Sequence, residues 1–430
     1  MGTRLRSAAP AIVVPVCLIV LLVAGLVIAQ RADDSDNDGA AVGAAAQLPP
    51  PQGVSNLSRA PSPFVNPQVV VWTGRDVVTF GGVTTAGNAS DGGARFTPAT
   101  GAWEALPALP FDAPLARPGG VWTKQGLVVV GILCNNDIVD DEPHCNPGTL
   151  VGAVLDATSG AWKAIPMPPN VAFESGNSGY FGETIGRFGD RAVFSFRDQL
   201  WAYDPMTDRW EELPAPRSPR VCSARNMLVS FDPTLGDAVD GAAPLDPGNP
   251  NSVIRSVVGF RTQTLSTGDT SWVAQEAVSY DAGVSGVELV CGDGAAFAAT
   301  RDLAGSWVLE GRGRWTQISA PSADLTKRPP AGPVPTSIPN TFSNAVWSGT
   351  DFVFWNADFE TQLPASSGSK AAEWKGNAVA LDLKSRTWRS VLAGPDSGQW
   401  GNPNSQSWQD GYALYVALID GGTGIQAYRP

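Results

Sequence analysis

One pattern recurs along this chain and restricts its fold more than any other feature. It is a large apolar residue followed by turn-forming residues and a tryptophan seven positions later. The copies end 43 to 73 residues apart and are "FTPATGAW" (Trp103), "LDATSGAW" (Trp162), "YDPMTDRW" (Trp210), "LSTGDTSW" (Trp272), "VLEGRGRW" (Trp315) and "LDLKSRTW" (Trp388). Pro, Gly, Asp and Thr between the two ends favour a hairpin that joins two strands.

A second recurring element completes the unit. It reads as a strand end, a tight turn and a second strand in "WTGRDVVTFGG" (72–82), "WTKQGLVVVG" (122–131) and "WSGTDFVFW" (347–355). Each unit of about 50 residues therefore has four strands, a to d, which is typical of a β-propeller. Because one such sheet cannot bury both of its faces, the units are expected to stack around a common axis.

The two ends of the domain predict how the ring closes. The last unit reaches "IQAYRP", where Tyr428 aligns with Tyr203, so it has a third strand but no fourth. "VSNLSRAPSPF" overlays "WEALPALPF", with Val54 at the position of Trp103 and Leu57 over Leu106. We therefore expect the N-terminal strand to complete the last blade. Counting fourth strands predicts seven blades, with six or eight as alternatives because the fourth and fifth units match least well.

These residues resemble the kelch-like, galactose-oxidase-type β-propellers. The resemblance is carried by Gly81-Gly82 after strand b, the spacing from the aromatic residue to Trp, and the closing N-terminal strand, and it covers residues 54–430. It implies an all-β propeller fold. The family includes copper oxidases that use two tyrosines and two histidines at the metal. This chain has a single histidine, His144, so it is not a copper oxidase.

The single histidine and the acidic charge exclude other function classes. A His-based zinc site and Ser-His-Asp or Cys-His catalysis are disfavoured because His144 is the sole histidine. The formal net charge of −12 argues against nucleic-acid binding, which requires a basic surface. We therefore expect no resident cofactor.

The N-terminal residues predict attachment to a membrane. Residues 1–10 form a short basic stub, residues 11–29 are an apolar run long enough to cross a bilayer, and residues 30–52 form a flexible stalk before the propeller at 53–430. Arginines precede the run and aspartates follow it, which places the C-terminal domain outside the cytoplasm. We favour an uncleaved anchor because the run is long; a cleaved signal peptide, giving a secreted protein, is the alternative.

Export predicts that the four cysteines outside the apolar run are paired, since disulfides persist in oxidising compartments. Cys222 and Cys291 fall near the same place in successive repeats, where Thr73 and Ser348 stand in the regular copies. Equivalent positions of adjacent blades approach near the axis, so we predict a Cys222–Cys291 disulfide between the fourth and fifth blades. Cys134 and Cys145 are then expected to close the loop between them.

That loop, "CNNDIVDDEPHC", is the densest polar segment. Its carboxylates, Asp137, Asp140, Asp141 and Glu142, are of the type that binds calcium. Their spacing is not that of a known calcium loop, so we favour an exposed acidic loop closed by the disulfide.

The distribution of long loops predicts which end of the ring is functional. The a–b and c–d turns are short, whereas long segments fall at the opposite end, at 82–93, 132–148, 232–252, 356–376, 321–341 and 395–406. Functional residues usually lie on such loops over a rigid scaffold. Besides the acidic loop, the candidate binding residues there are Trp355, Asp358, Phe359, Trp374 and Trp400. Trp72, Trp122, Trp347 and Trp408 recur within the repeat and are expected to pack between blades.

The sequence therefore predicts a monomeric, membrane-anchored propeller outside the cytoplasm that binds a protein or carbohydrate of the cell envelope. The alternative is a carbohydrate-active hydrolase, lyase or isomerase that uses carboxylates at the mouth of the propeller. Two carboxylates about 5–10 Å apart there would favour a glycosidase.

Overall fold

The computed structural model describes most of the C-terminal domain. The described residues are 53–59, 67–82, 89–133, 137–139, 142–144, 149–169, 171, 183–196, 199–238, 255–284, 287–300, 303–322, 325, 344–355, 377–392, 406–409, 412–419 and 422–429. Antiparallel β-sheet dominates them, in seven sheets of four or five strands and one small hairpin. The fold is therefore all-β, as the repeat predicts.

Sheets I to III follow one another along the chain. In pairing order, sheet I contains β2 (Val69–Trp72), β3 (Val77–Phe80), β4 (Gly93–Thr97) and β5 (Ala102–Ala105). Sheet II contains β6 (Leu115–Trp122), β7 (Gly126–Leu133), β10 (Leu150–Asp156) and β11 (Trp162–Ile165). Sheet III contains β12 (Glu183–Phe188), β13 (Arg191–Phe196), β14 (Gln199–Asp204) and β15 (Arg209–Leu213). Between β7 and β10 lies the hairpin of β8 (Asp137–Val139) and β9 (Glu142–His144).

Sheets IV to VII continue the series. Sheet IV contains β16 (Val221–Ser223), β17 (Met227–Ala238), β18 (Arg255–Ser266) and β19 (Val273–Ala274), and β20 (Val278–Val284) also pairs with β18. Sheet V contains β21 (Val287–Cys291), β22 (Ala295–Thr300), β23 (Ser306–Glu310) and β24 (Thr316–Gln317). Sheet VI contains β25 (Asn344–Trp347), β26 (Asp351–Trp355), β27 (Asn377–Asp382) and β28 (Thr387–Leu392). Sheet VII contains β29 (Gln406–Gln409), β30 (Tyr412–Ile419), β31 (Gly422–Arg429) and β1 (Gly53–Arg59).

The N-terminal strand completes the last sheet in the register that the sequence predicts. β1 pairs antiparallel with β31, and Val54 lies opposite Tyr428. In sheet I the equivalent pair is Phe96 and Trp103. Val54 therefore occupies the position that the recurring Trp holds in other sheets.

Neighbouring sheets pack face to face, and their first strands lie side by side. β2 contacts both β29 and β6, and the series continues through β12, β16, β21 and β25. Apolar side chains from two successive sheets form each core: Val78 and Phe80 of sheet I pack with Val129 and Leu155 of sheet II. Successive meander sheets with adjoining first strands are the arrangement of a β-propeller.

Most of the recurring tryptophans bind their sheet to the one before it. The indole Nε1 of Trp162 donates to the carbonyl of Pro107 at 2.9 Å. That carbonyl lies four residues after Trp103, and the same offset recurs in three further sheets. Those bonds run from Trp210 to Pro166 (2.5 Å), from Trp272 to Pro214 (2.6 Å) and from Trp388 to Ser319 (2.7 Å). The repeat thus encodes a hydrogen bond between sheets as well as apolar packing.

The tryptophans that close the first strands pack between sheets, as predicted. Trp72 is buried. Trp347 lies against Gly292 of sheet V so closely that a Cβ added to this glycine would be 2.4 Å from the ring. Its ring also contacts Phe352 at 4.7 Å between centroids. The side chain of Trp408 lies outside the described residues.

Cys222 and Cys291 form a disulfide that joins the first strands of sheets IV and V, with their Cα atoms 5.9 Å apart. This is the predicted pair, and Cys222 lies two positions, and Cys291 one position, before the residue equivalent to Thr73. The hydrogen bond from Thr73 N to Asp76 O closes the first turn of sheet I. Its equivalents run from Ala224 N to Met227 O and from Gly292 N to Ala295 O. Cys222 is therefore equivalent to Val71, and Cys291 is equivalent to Trp72.

The predicted stub, apolar run and stalk at 1–10, 11–29 and 30–52 lie outside the described residues. Within the described ranges, no helix has both the length and the hydropathy required to cross a bilayer.

Candidate functional site

Sheet IV differs most from the others. Its strands β17 and β18 each contain 12 residues, whereas no described strand of the other sheets exceeds eight. The extra length lies away from the a–b turn at 224–227, on the side where the long loops were predicted. Residues 232–252 were predicted as a loop, which is wrong for their first part, because β17 continues to Ala238 and pairs with β18. β20 adds a further strand along the distal half of β18 and so supports this extension.

The repeat breaks in sheet IV directly after its tryptophan. Three residues after the Trp, the other described sheets have Leu106, Ile165, Leu213, Ile318 and Val391, whereas sheet IV has Gln275. Proline follows in the first three sheets, but Glu276 follows here, so the backbone N–H is retained and the outer strand continues. Ala274 lies opposite Gln263 and Val278 opposite Phe260, which leaves one extra residue on the outer strand. The strand therefore contains a β-bulge at 275–277.

A partly open pocket of about 220 Å³ lies at this bulge. Seven of its nine lining residues are polar or charged, and none is aromatic. We call it the sheet IV pocket; it is lined by Arg217, Ser230, Asp232, Arg261, Thr262, Gln263, Ala274, Gln275 and Ala277.

The register of sheet IV brings four of these side chains to one face. Ser230 is opposite Gln263, and Asp232 is opposite Arg261. Successive residues of a strand point to opposite faces. Leu228 and Leu265, on the same face, pack against Leu213 and other residues of sheet III. Phe231 and Phe260 point the other way and pack against Trp307 of sheet V. The pocket is therefore on the side of sheet IV that faces sheet III.

Hydrogen bonds fix the walls of the pocket. The backbone N–H of Arg217 donates to Oε1 of Gln263 at 2.8 Å, which ties the connection from sheet III to the face of sheet IV. The buried hydroxyl of Ser230 donates to the carbonyl of Ser218 at 3.0 Å. Nε2 of Gln275 donates to Oγ1 of Thr264 at 2.9 Å. The amides and hydroxyls are therefore held in place before any ligand enters.

The charged groups of the pocket are not paired with one another. Asp232 and Arg261 are direct cross-strand neighbours, a position where opposite charges attract, yet no ion pair forms between them. Within the described residues, Arg217 and Arg261 have no carboxylate within ion-pair distance, and both are exposed. Two guanidinium groups and one carboxylate therefore remain available to a ligand.

The recurring tryptophan of sheet V, Trp315, has a different hydrogen-bond acceptor from the other tryptophans. Trp315 does not donate to a carbonyl four residues after Trp272; its Nε1 donates instead to Oγ1 of Thr262 at 2.7 Å. On the same side, Tyr280 stacks with Trp307 at 5.3 Å between centroids. Burial raises the pKa of Tyr280 to about 12, so the phenol stays protonated at neutral pH.

The opposite, turn end of the sheets has a regular pattern of ion pairs between neighbours. Each pair joins a side chain in or beside the turns of one sheet to an acid of a neighbouring sheet. The pairs are Lys124–Asp190 (2.9 Å), Lys163–Asp208 (2.5 Å), Arg225–Asp293 (3.2 Å), Arg312–Asp269 (2.5 Å) and Arg386–Glu310 (3.0 Å). Hydrogen bonds from Lys163 and then from Tyr203 hold the pKa of Asp208 below its ordinary value.

Most of the binding residues predicted from sequence lie outside the described residues: Asp140, Asp141, Asp358, Phe359, Trp374 and Trp400, together with Cys134 and Cys145. Trp355 ends β26, opposite Asn344, and its side chain is not described. Asp137 and Glu142 belong to the β8–β9 hairpin, where Asp137 is opposite His144 and Glu142 is opposite Val139. The acidic segment thus contains a hairpin. Among the described residues, no group of His, Cys, Asp and Glu is arranged to hold a metal ion.

Sequence reasoning missed the residues of the sheet IV pocket. The signal was present in the "WVAQEAVSY" segment, where Gln-Glu replaces the aliphatic residue and proline of "WEALP", "WKAIP" and "WEELP". The poor match of the fourth unit reflects this polar substitution and the added strand.

No family model and no curated protein sequence matches the chain. Among solved structures, it is similar to a streptogramin B lyase at 10% identity and a TM-score of 0.44, over 87% of this chain and 96% of that chain. It is also similar to YjhT at 12% identity and a TM-score of 0.35, over 86% of this chain and 95% of that chain. Both of these structures are β-propellers. Since both TM-scores are below 0.5, the activity of neither protein is assigned to this chain.

Proposed function

We propose that this protein is a binding module: a membrane-anchored, extracytoplasmic, seven-bladed propeller of the kelch-like, galactose-oxidase type that captures a carbohydrate or protein of the cell envelope. The observation that carries this proposal is the sheet IV pocket. It is a preformed polar site with unpaired charges, set into an otherwise regular scaffold. Polar groups held in place on rigid strands are typical of binding sites.

The disulfide supports the extracytoplasmic location. Disulfides persist in oxidising environments and are rare where thiols are kept reduced. Cys222 and Cys291 are paired in the structure, in agreement with the charge asymmetry on either side of residues 11–29. That segment would hold the propeller at the outer surface of the membrane, where envelope ligands are within reach.

The contacts between first strands support a closed ring of seven blades. β2 of sheet I lies beside β29 of sheet VII, and the series of neighbouring first strands continues from β2 through β6, β12, β16, β21 and β25. Seven sheets joined in this order would make seven blades.

The pocket favours binding over sugar hydrolysis. A glycosidase needs two carboxylates that flank the scissile bond at defined separations. Among the described residues that line the sheet IV pocket, Asp232 is the sole carboxylate. A hydrolase of this kind would need a second acidic group at this site.

The proposal is tested by incubating the full chain with solubilised envelope glycans and envelope proteins and analysing both what is captured and what is released. We expect reversible capture of a ligand whose covalent structure is unchanged. Release of a shortened or rearranged sugar, at a rate proportional to protein concentration, would instead show an enzyme.

A further inference from the structure

The charge of the sheet IV pocket restricts the ligand that it can take. Two guanidinium groups and one carboxylate leave an excess of one positive charge. A monoanion balances this excess, whereas a phosphate dianion would be repelled by Asp232. Guanidinium groups match carboxylates in a planar, two-point geometry. A ligand with a single carboxylate per bound unit therefore fits the charges best.

The neutral lining indicates what else this ligand carries. Gln263 keeps the N–H groups of its side-chain amide for a ligand, because only its Oε1 is bonded among the described residues, and Asp232 accepts hydrogen bonds from donors. A ligand that fits needs several donors and acceptors around a small apolar body, because the only aliphatic side chains of the lining are Ala274 and Ala277. A sugar ring has this distribution of groups, whereas an apolar peptide side chain would find little surface to contact.

The volume of the pocket limits how many sugar rings it can hold. A volume of about 220 Å³ is below the range of about 300–1,000 Å³ for sites that enclose drug-sized ligands. It suits about one sugar ring, and the open side leaves room for the rest of a longer chain. The lack of aromatic rings in the lining means that recognition depends on charge and hydrogen bonds rather than on stacking, which disfavours a neutral sugar.

We propose that the sheet IV pocket binds a uronate residue of an acidic polysaccharide, with Arg217 and Arg261 on its carboxylate and Asp232 on its ring hydroxyls. This inference rests on the proposed binding function and names its ligand class. The β-bulge at 275–277 is then the adaptation that makes room for the sugar.

The experiment is a calorimetric titration of the full chain with trigalacturonate. Two further probes separate the sources of affinity: the fully methyl-esterified trisaccharide, which keeps the sugar and removes the charge, and an acidic tripeptide, which keeps the carboxylates and removes the sugar. The variants are Arg217→Ala/Arg261→Ala and, as a matched control, Arg209→Ala, which removes an exposed arginine of sheet III outside the pocket. An unfolding scan of each variant shows that it is folded.

We expect trigalacturonate to bind the native chain and the Arg209→Ala variant equally well, and the double variant at least tenfold more weakly. The ester and the tripeptide should bind at least tenfold more weakly than trigalacturonate. Equal affinity in the double variant, equal affinity for the ester, or tighter binding of the tripeptide would each overturn the uronate site. If the chain captures another envelope ligand but not trigalacturonate, this inference fails and the binding function stands. If it captures none, the binding function fails as well.

Discussion

The turn end of the sheets and the sheet IV pocket use the same kinds of residue in opposite ways. At the turn end, Arg225, Arg312 and Arg386 each pair with a carboxylate of a neighbouring sheet. In the pocket, Arg217 and Arg261 have no such partner among the described residues, although Asp232 is opposite Arg261. Charges that neighbours neutralise contribute to assembly, while charges left unpaired at a preformed cavity are available for recognition. The difference separates the scaffold from the candidate site.

The hydrogen bonds of the tryptophans show the same division. In the regular sheets, the indole N–H bonds to a backbone carbonyl four residues after the preceding Trp. At sheet IV this carbonyl belongs to Glu276, inside the bulge, and Trp315 bonds to the Thr262 hydroxyl instead. Sheet V thus stays attached to sheet IV although the repeat changes. The adaptation allows one sheet to diverge without loss of contact between blades.

The largest effect is expected from changing a regular tryptophan. Trp210 contacts Phe194, Phe196 and Tyr203 and donates a hydrogen bond to Pro166. Trp210→Ala removes this packing and should lower the free energy of unfolding by about 3–5 kcal/mol. Denaturant unfolding measures the change. Trp210→Phe is the control, because it keeps an aromatic ring and loses the hydrogen bond, and it should cost only about 1–2 kcal/mol. Equal losses in the two variants would contradict the packing role.

Removal of the disulfide should have the next largest effect on the free energy of unfolding. It closes a segment of 69 residues between Cys222 and Cys291. Cys222→Ser/Cys291→Ser should lower the free energy of unfolding by about 2–4 kcal/mol, since the unfolded chain regains the entropy of the open loop. Denaturant unfolding of the variant and of the native chain, with and without a reductant, measures this. A reductant that destabilises the double variant as much as the native chain would show that another bond is responsible.

Much of this scaffold is predictable from the sequence because the repeat is written in local signals. The spacing of Trp103 from Phe96 is reproduced in the pairing of β4 with β5, and Val54 pairs with Tyr428 as the overlay implies. The candidate site is less predictable because it is an exception to the repeat. The segment 232–252 contains Pro, Gly and Asp and has the composition of a loop. Its first part forms a strand because β20 stabilises the same sheet, which is a tertiary effect that local composition does not encode.

Lowering the pH should have a smaller effect on the free energy of unfolding, through Asp208 at the turn end. Hydrogen bonds from Lys163 and Tyr203 lower the pKa of Asp208 in the folded state from the ordinary value of 3.8. The ionised carboxylate therefore stabilises the fold above pH 3.8, and this contribution is lost as the pH falls through the lower, folded-state pKa. Because the pair is largely exposed, its contribution is under about 1 kcal/mol.

Asp208→Asn isolates this contribution. The variant should be slightly less stable than the native chain at pH 6, and the difference should shrink as the pH approaches 3. Unfolding midpoints at both pH values measure it. A difference that grows on acidification would contradict the sign of the pKa shift.

The most direct test of the central claim, that the break in the sheet IV repeat is a binding site, is to restore the repeat. Gln275→Leu/Glu276→Pro returns the aliphatic residue and the proline that follow the tryptophan in "WEALP" and "WEELP", and so removes the backbone N–H with which the outer strand continues through the bulge. Trigalacturonate affinity and unfolding are then measured on the same variant. We expect affinity to fall at least tenfold while the free energy of unfolding changes by less than about 3 kcal/mol, the cost of one misplaced proline. Unchanged affinity, or a loss of stability above about 3 kcal/mol, would show that the bulge belongs to the scaffold and contradict the claim.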